Sequence, residues 1–278
     1  MTTDAHDSSV GTAPEPVERP GFVHDIGVGV LELTRGARDM YAIFIRTIYW
    51  TFRGRRDKGV VWKYCFEIGN RSMFFLSVTM GFIGMILVFQ SALQALRAVP
   101  DLTMLGATFL EILVRDLAAS IGALMLATRV GAGIAAEIGS MVVTEQVDAL
   151  RMSGVDPVNY LIVPRFIASM IMTTILIVWA GAVSFGAGMA TAYFVFDVPV
   201  RTFLNFSLLD WGDLTIGLTK CVAYGAAIPI VSGYCGLSTF GGSEGVGWAT
   251  TRAVVNSSLA TIILNFFISG IGFIFFPP

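Results

Sequence analysis

The chain has 278 residues, 55% of them hydrophobic and 14% charged, with a mean hydropathy of +0.73 and a net charge of −2. Soluble domains carry roughly 25% charged residues, so this composition points to an integral membrane protein, and the balance of charge offers no basic face for nucleic acid. The three cysteines, Cys65, Cys221 and Cys235, form no CxxC pair, and both histidines, His6 and His24, lie in or near the N-terminal tail, which argues against a disulfide framework or a metal centre.

Residues 1–21, MTTDAHDSSVGTAPEPVERPG, are polar and lack the basic start and apolar middle of a signal peptide. They read as a disordered cytoplasmic tail. Residues 22–58 are apolar but broken by Asp25, Glu32, Arg35, Arg38, Asp39 and Arg46. Their uninterrupted runs are too short for the ~20 apolar residues that a span needs. Aromatic residues next to Arg53, Arg55, Arg56 and Lys58 predict an amphipathic helix lying in the membrane surface; an ordinary buried helix is the other reading.

Residues 59–278 form the transmembrane domain, with five predicted spans: residues 73–96, 104–128, 166–196, 213–236 and 253–276. The third run measures roughly 46 Å at 1.5 Å per residue, against a hydrocarbon core of ~30 Å. That is too short for two helices and a turn, so it predicts one tilted helix projecting from the bilayer. Arginine and lysine cluster before the first span, and Arg129, Arg151, Arg165 and Arg252 follow the second and fourth. The opposite loops hold only Arg97 and Arg201. The positive-inside bias therefore predicts a cytoplasmic N-terminus and a C-terminus on the outer face.

Between the second and third spans lies AAEIGSMVVTEQVDALRMSGVDP, residues 135–157. Laid on one helix at 100° per residue, Glu137, Ser140, Thr144, Asp148 and Arg151 form a polar stripe, and Ile134, Ile138, Val142, Ala149 and Leu150 the apolar arc. Glu145 departs from this pattern by sitting near the apolar arc. Asp148 and Arg151 can pair at i,i+3, Gly154 can cap the helix and Pro157 ends it. The segment reads equally as a solvated loop helix or as a docking element for a cytoplasmic partner.

Within the second span stand Glu111, Arg115 and Asp116, and within the fourth Lys220. Each buried charge costs on the order of 2.5–3.5 kcal/mol on insertion scales, so Glu111 and Arg115, at i,i+4, are expected to neutralise each other. Lys220 is expected to snorkel to the interface, with a lipid headgroup or an acid such as Glu111 as the alternative. Gly81 and Gly84, the Ala182–Gly186–Ala190 series, and Gly212 and Gly217 favour close helix packing. GGSEGVG, residues 241–247, reads as a tight turn rather than a dinucleotide loop, because no strand precedes it.

The stretch TRVGAGIAAEIGSMVVTEQVDALRMSGVDPVNYLIVPR resembles the signature of the MlaE/YrbE family, the permease subunits of Mce-type ABC lipid transporters. Its matching positions include Arg129, Gly131, Glu137, Gly139, Met141, Thr144, Glu145, Gln146, Asp148, Asp156, Pro157 and Arg165. Lys220 and ATTRAVVNSSLA, residues 249–260, follow the family's second half. The likeness covers roughly residue 60 to the C-terminus. Three positions depart from it: Val142 replaces a frequent basic residue, RDLAAS from Arg115 replaces a proline-containing run and removes its kink, and Asn265 stands where relatives often carry Asp.

The resemblance implies an all-α membrane permease. Glu137, Met141, Thr144, Glu145, Asp148 and Arg151 would lie on a coupling helix that docks on an MlaF-like ABC ATPase. It also implies an Mce-domain (MlaD-like) partner, a second permease copy (preferably a homodimer), and a lipid substrate, either phospholipids or related acyl lipids. The chain would sit in the bacterial cytoplasmic (inner) membrane and pass lipid to or from the outer envelope. No G-x-x-x-x-G-K-[ST] occurs, and the lysines Lys58, Lys63 and Lys220 lie outside any such loop, so no cofactor is expected in this chain, and ATP and Mg belong to the partner ATPase. Phe82, Ile86, Phe89, Glu111, Arg115 and Lys220 are assigned to the substrate path. The competing reading is a non-transporting membrane scaffold. An intramembrane enzyme fits poorly, since no histidine lies in a span and Glu111 and Asp116 are off one face.

Overall fold

A computed structural model describes residues 22–54, 58–98 and 102–275, and every regular element among them is helical. The predicted tail, residues 1–21, and the basic residues Arg55 and Arg56 lie outside the described residues. The chain divides into two compact units, Met1–Asp39 and Met40–Pro278. The first contributes the opening residues of α1 (Phe22–Arg53). The second holds the rest of α1 and all that follows.

Within that second unit, the end of α1 exposes Tyr41, Ile45, Tyr49 and Phe52, while Thr47 is fully buried. Spacings of four, four and three residues place the exposed side chains on one stripe. α2 (Lys58–Ala98) is one 41-residue helix that starts well before the predicted first span. The predicted second span is not a single α-helix. It runs as α3 (Leu105–Ile112), a π-helical turn (Leu113–Leu117), α4 (Ala118–Leu126), a second π turn (Ala127–Gly131) and α5 (Ala132–Val143). Where the proline kink is missing, the helix is thus made irregular by a wide π turn that carries Arg115 and Asp116. α6 (Gln146–Met152) and a third π turn (Val158–Ile162) lead into α7 (Val163–Phe196), the single long helix predicted for the third span. α8 (Val200–Phe203) is a short loop helix, and α9 (Trp211–Leu237) starts at a capping box made by Asp210 and Asp213. α10 (Gly242–Phe275) starts earlier than predicted. Only Gly241 and Gly242 adopt the positive φ of a turn, and the rest of GGSEGVG is its first helical turns.

Four helical stretches among the described residues are long and apolar enough to cross a membrane: Gly59–Arg97, Val158–Phe196, Trp211–Leu237 and Gly242–Phe275. The α9 window is 56% buried within the chain and the α10 window only 11%, so α9 is central and α10 peripheral. Lipid tails are as apolar as leucine, so helices here associate through close packing rather than through exclusion of water. α7 is the hub, packed on α2, α4 and α9. At its crossing with α2, a Cβ on Gly84 would collide with the Ser184 carbonyl oxygen, and Trp179 Nε1 donates to Ser77 Oγ at 3.0 Å. Gly217 approaches the Val114 carbonyl equally closely, whereas Gly186 faces open space. At one end of the bundle Phe203 of α8 meets Phe109 and Phe185. At the other, Gly139 of α5 abuts Thr239, and Gly236 abuts Ile138.

Candidate functional site

The segment predicted to dock a partner is not one helix. Glu145 takes a left-handed backbone, φ +60°, between α5 and α6, which costs a non-glycine residue roughly 1–2 kcal/mol. The kink resets the helical phase. On a continuous helix Val147 would sit about 180° from Ile138, yet both are buried, at 3% and 0% exposure. Ala149, assigned to the apolar arc, is exposed instead. α6 then ends in a Schellman motif: Gly154 N–H donates to the Arg151 carbonyl and Val155 N–H to the Leu150 carbonyl, with Gly154 at φ +77°. Gly154 therefore caps the helix as its sequence position predicts.

Thr144, Glu145, Gln146, Asp148 and Arg151 are exposed along this kink. The Asp148–Arg151 pair forms at 3.1 Å with both side chains mostly exposed, so it contributes only ~0.2–0.5 kcal/mol. Met152, unremarkable in sequence, is 91% exposed at the tip. Met141 is partly buried against the core. Glu137 turns away from the kink to the buried Arg165, whose Nη2 lies 2.5 Å from Glu137 Oε1. Asp156 accepts from Val158 N–H and from Trp50 Nε1 at 3.1 Å, tying the end of α1 to the segment that follows α6.

The second grouping lies between α9, α10 and the first π turn. The expected Glu111–Arg115 pair does not form. Arg115 Nη1 instead meets Asp213 Oδ1 at 3.1 Å, because the first turn of α9 presents a 5% exposed carboxylate beside it. Lys220 does not snorkel either. It is 1% exposed, and its Nζ donates to Asp116 Oδ1 at 2.6 Å and to the Arg115 carbonyl at 3.2 Å. Ser120 donates to the same Asp116 oxygen. One turn along α9, the Tyr224 hydroxyl donates to Asn265 Oδ1 at 3.0 Å, and Ser269 donates there too. Lys220 stands nine residues into α9, roughly 14 Å along its axis, so an ion pair lies deep in an apolar bundle. Asp116 keeps 44% side-chain exposure at that depth. Phe82, Ile86 and Phe89 are exposed on one outward stripe of α2, with Phe89 against Phe196. Among the described residues no group of histidine, cysteine or acidic side chains is placed to hold a metal.

The model of the family described as Permease MlaE matches residues 61–271. The chain belongs to the MlaE permease family. A probable ABC transporter permease protein of Synechocystis is 40% identical over 208 residues, covering 74% of this chain and 79% of the relative. One of Rickettsia bellii is 37% identical over the same length, covering 74% and 80%. The chloroplastic protein TRIGALACTOSYLDIACYLGLYCEROL 1 of Arabidopsis thaliana is 32% identical, covering 74% of this chain and 59% of the relative. The permease is thus a multi-pass membrane subunit of an ABC transporter, and ATP hydrolysis belongs to a separate ATPase subunit. The matched region contains both the kink at Glu145 and the Lys220–Asp116 pair.

Proposed function

We propose that this permease moves lipids, phospholipids or related acyl lipids, across or out of the cytoplasmic membrane under the drive of its ATPase partner. The observation that carries the reading is the Lys220–Asp116 pair. A carboxylate that stays half exposed deep in an apolar bundle is costly against hydrocarbon, so Asp116 faces a polar path that a lipid headgroup could follow. The Arabidopsis relative, named for a galactolipid, supports the same substrate class. Arg115 and Lys220 hold the path open through Asp213 and Asp116, Glu111 stands one turn away, and the apolar stripe Phe82, Ile86 and Phe89 offers acyl-chain contact.

The exposed kink of Thr144, Glu145, Asp148, Arg151 and Met152 is the ATPase-docking surface; Glu137 and Met141 support it from below. ATP and Mg sit on the ATPase. The arginine distribution supports a cytoplasmic kink and N-terminus and a C-terminus on the periplasmic side. α10, largely uncovered within one chain, leaves room for a second permease copy, and an Mce-domain protein would receive or deliver lipid at the outer face.

Tagged purification from the native host in mild detergent, with mass spectrometry of the co-purifying proteins, tests this assembly. An ABC ATPase and an Mce-domain protein at near-equal amounts are expected. Recovery of the chain alone across several detergents would contradict it and favour a membrane scaffold.

A further inference from the structure

Away from both groupings, a pocket of about 420 Å³ opens between α2 and α5, with Tyr64, Glu67, Arg71, Arg129, Glu137 and Arg165 in its wall. Arg165 is 2% exposed and lies over the Tyr64 ring, 4.5 Å from its centroid. Its Nη1 donates to the Leu161 carbonyl at 2.6 Å and its Nη2 forms the ion pair with Glu137, but its buried Nε has no hydrogen-bond partner. A buried guanidinium N–H without an acceptor is costly, and Arg165 lines a cavity large enough to hold one. Glu67 holds Arg71 at 2.7 Å. Arg129 has no acidic partner within 4.0 Å among the described residues.

Arg71 and Arg129 also line a second cleft, of about 410 Å³, with Phe74, Phe75 and Thr128. Phe74 is 80% exposed. The two guanidiniums therefore stand at the neck between a polar pocket and an aromatic surface. Arg71 stands just before the predicted first span, and Arg129 stands just after the predicted second, in the second π turn, so the neck falls at the cytoplasmic edge that the sequence predicts for both. Three guanidiniums against two carboxylates leave the pocket one positive charge in excess.

We propose that this pocket binds the phosphate of an anionic phospholipid: Arg71 and Arg129 clamp the phosphate, an acyl chain lies along Phe74 and Phe75, and the headgroup enters toward Arg165. Charge-assisted contacts from arginine suit a phosphodiester, and the excess positive charge selects an anionic over a zwitterionic lipid. The site is separate from the Lys220–Asp116 path and does not rest on the transport reading, because equilibrium binding needs neither ATP nor a partner.

The test is native mass spectrometry of the purified full-length chain in detergent, titrated separately with phosphatidylglycerol, phosphatidylcholine and inorganic phosphate. Phosphatidylglycerol should bind preferentially, and Arg71→Gln with Arg129→Gln should weaken it at least about tenfold. Glu67→Gln, at a half-buried position in the pocket wall, should strengthen it by releasing Arg71, so a folding defect in the arginine variant cannot mimic the result. Equal binding of both lipids, or unchanged phosphatidylglycerol binding in both variants, would overturn the proposal. Inorganic phosphate binding as tightly as the lipid would overturn the lipid assignment and make the pocket a free-anion site.

Discussion

Lys220 Nζ and Asp116 Oδ1 meet at 2.6 Å across a separation of 104 residues, with the lysine fully buried and the aspartate open on one side. Removing one partner of a buried pair typically costs ~3–5 kcal/mol. Asp116 keeps outside access, so Lys220→Met should cost less, about 2 kcal/mol. The double variant Lys220→Met with Asp116→Asn should cost less than the sum of the singles, because neither charge is then left alone. Thermal unfolding in detergent of the four proteins measures this. A neutral Lys220→Met would mean that the lysine reaches solvent after all.

Trp50 and Asp156 tie α1 to the segment behind the kink. Trp50→Phe removes one hydrogen bond and should cost about 1 kcal/mol. Asp156→Ala also orphans Val158 N–H, which opens the third π turn. Amide hydrogen exchange across residues 156–162 should therefore rise more in Asp156→Ala than in Trp50→Phe, and equal rises would contradict the double role of Asp156.

The left-handed backbone of Glu145 separates geometry from charge. Glu145→Gly keeps the kink and relieves ~1 kcal/mol of strain, while Glu145→Val adds a β-branched side chain where it fits worst. Unfolding midpoints should rank glycine above wild type above valine. If the carboxylate itself contacts the ATPase, the glycine variant should be the more stable protein and yet retain less ATPase through purification.

Close packing at Gly84 makes a sharper claim than its small size alone. Gly84→Ala drives a Cβ into the Ser184 carbonyl and should cost ~1–3 kcal/mol. Gly186→Ala on the partner helix meets nothing within 4 Å and should be neutral or stabilising, since alanine is the better helix former. Comparable losses in both would show that α2 and α7 do not cross where the structure has them.

Much of the architecture is legible in the sequence, because hydropathy fixes where a chain can cross a bilayer and the long third run admits only one helix, which α7 is. Gly154 was readable as a cap because few other residues take positive φ there. Glu145 was not: a left-handed glutamate has no local cue, and a pattern drawn at constant phase carried the polar stripe straight through the break, placing Ala149 inside and leaving Val147 unremarked. The partners of Arg115 and Lys220 were equally hidden. Spacing along one helix suggested Glu111, but partner choice in a bundle is set by packing between helices, which brings Asp213 and Asp116 closer.

The central claim is that this permease couples ATP use on its partner to lipid movement through the exposed kink. The direct measurement is ATP-dependent transfer of a labelled phospholipid in proteoliposomes holding the co-purified complex, comparing wild type with Asp148→Arg. Asp148 is exposed, and its single ion pair adds little stability, so the variant should unfold at the wild-type temperature while losing at least about tenfold in transfer rate, the scale of a ~1.4 kcal/mol contact. Wild-type transfer together with undiminished ATPase retention in Asp148→Arg would contradict it.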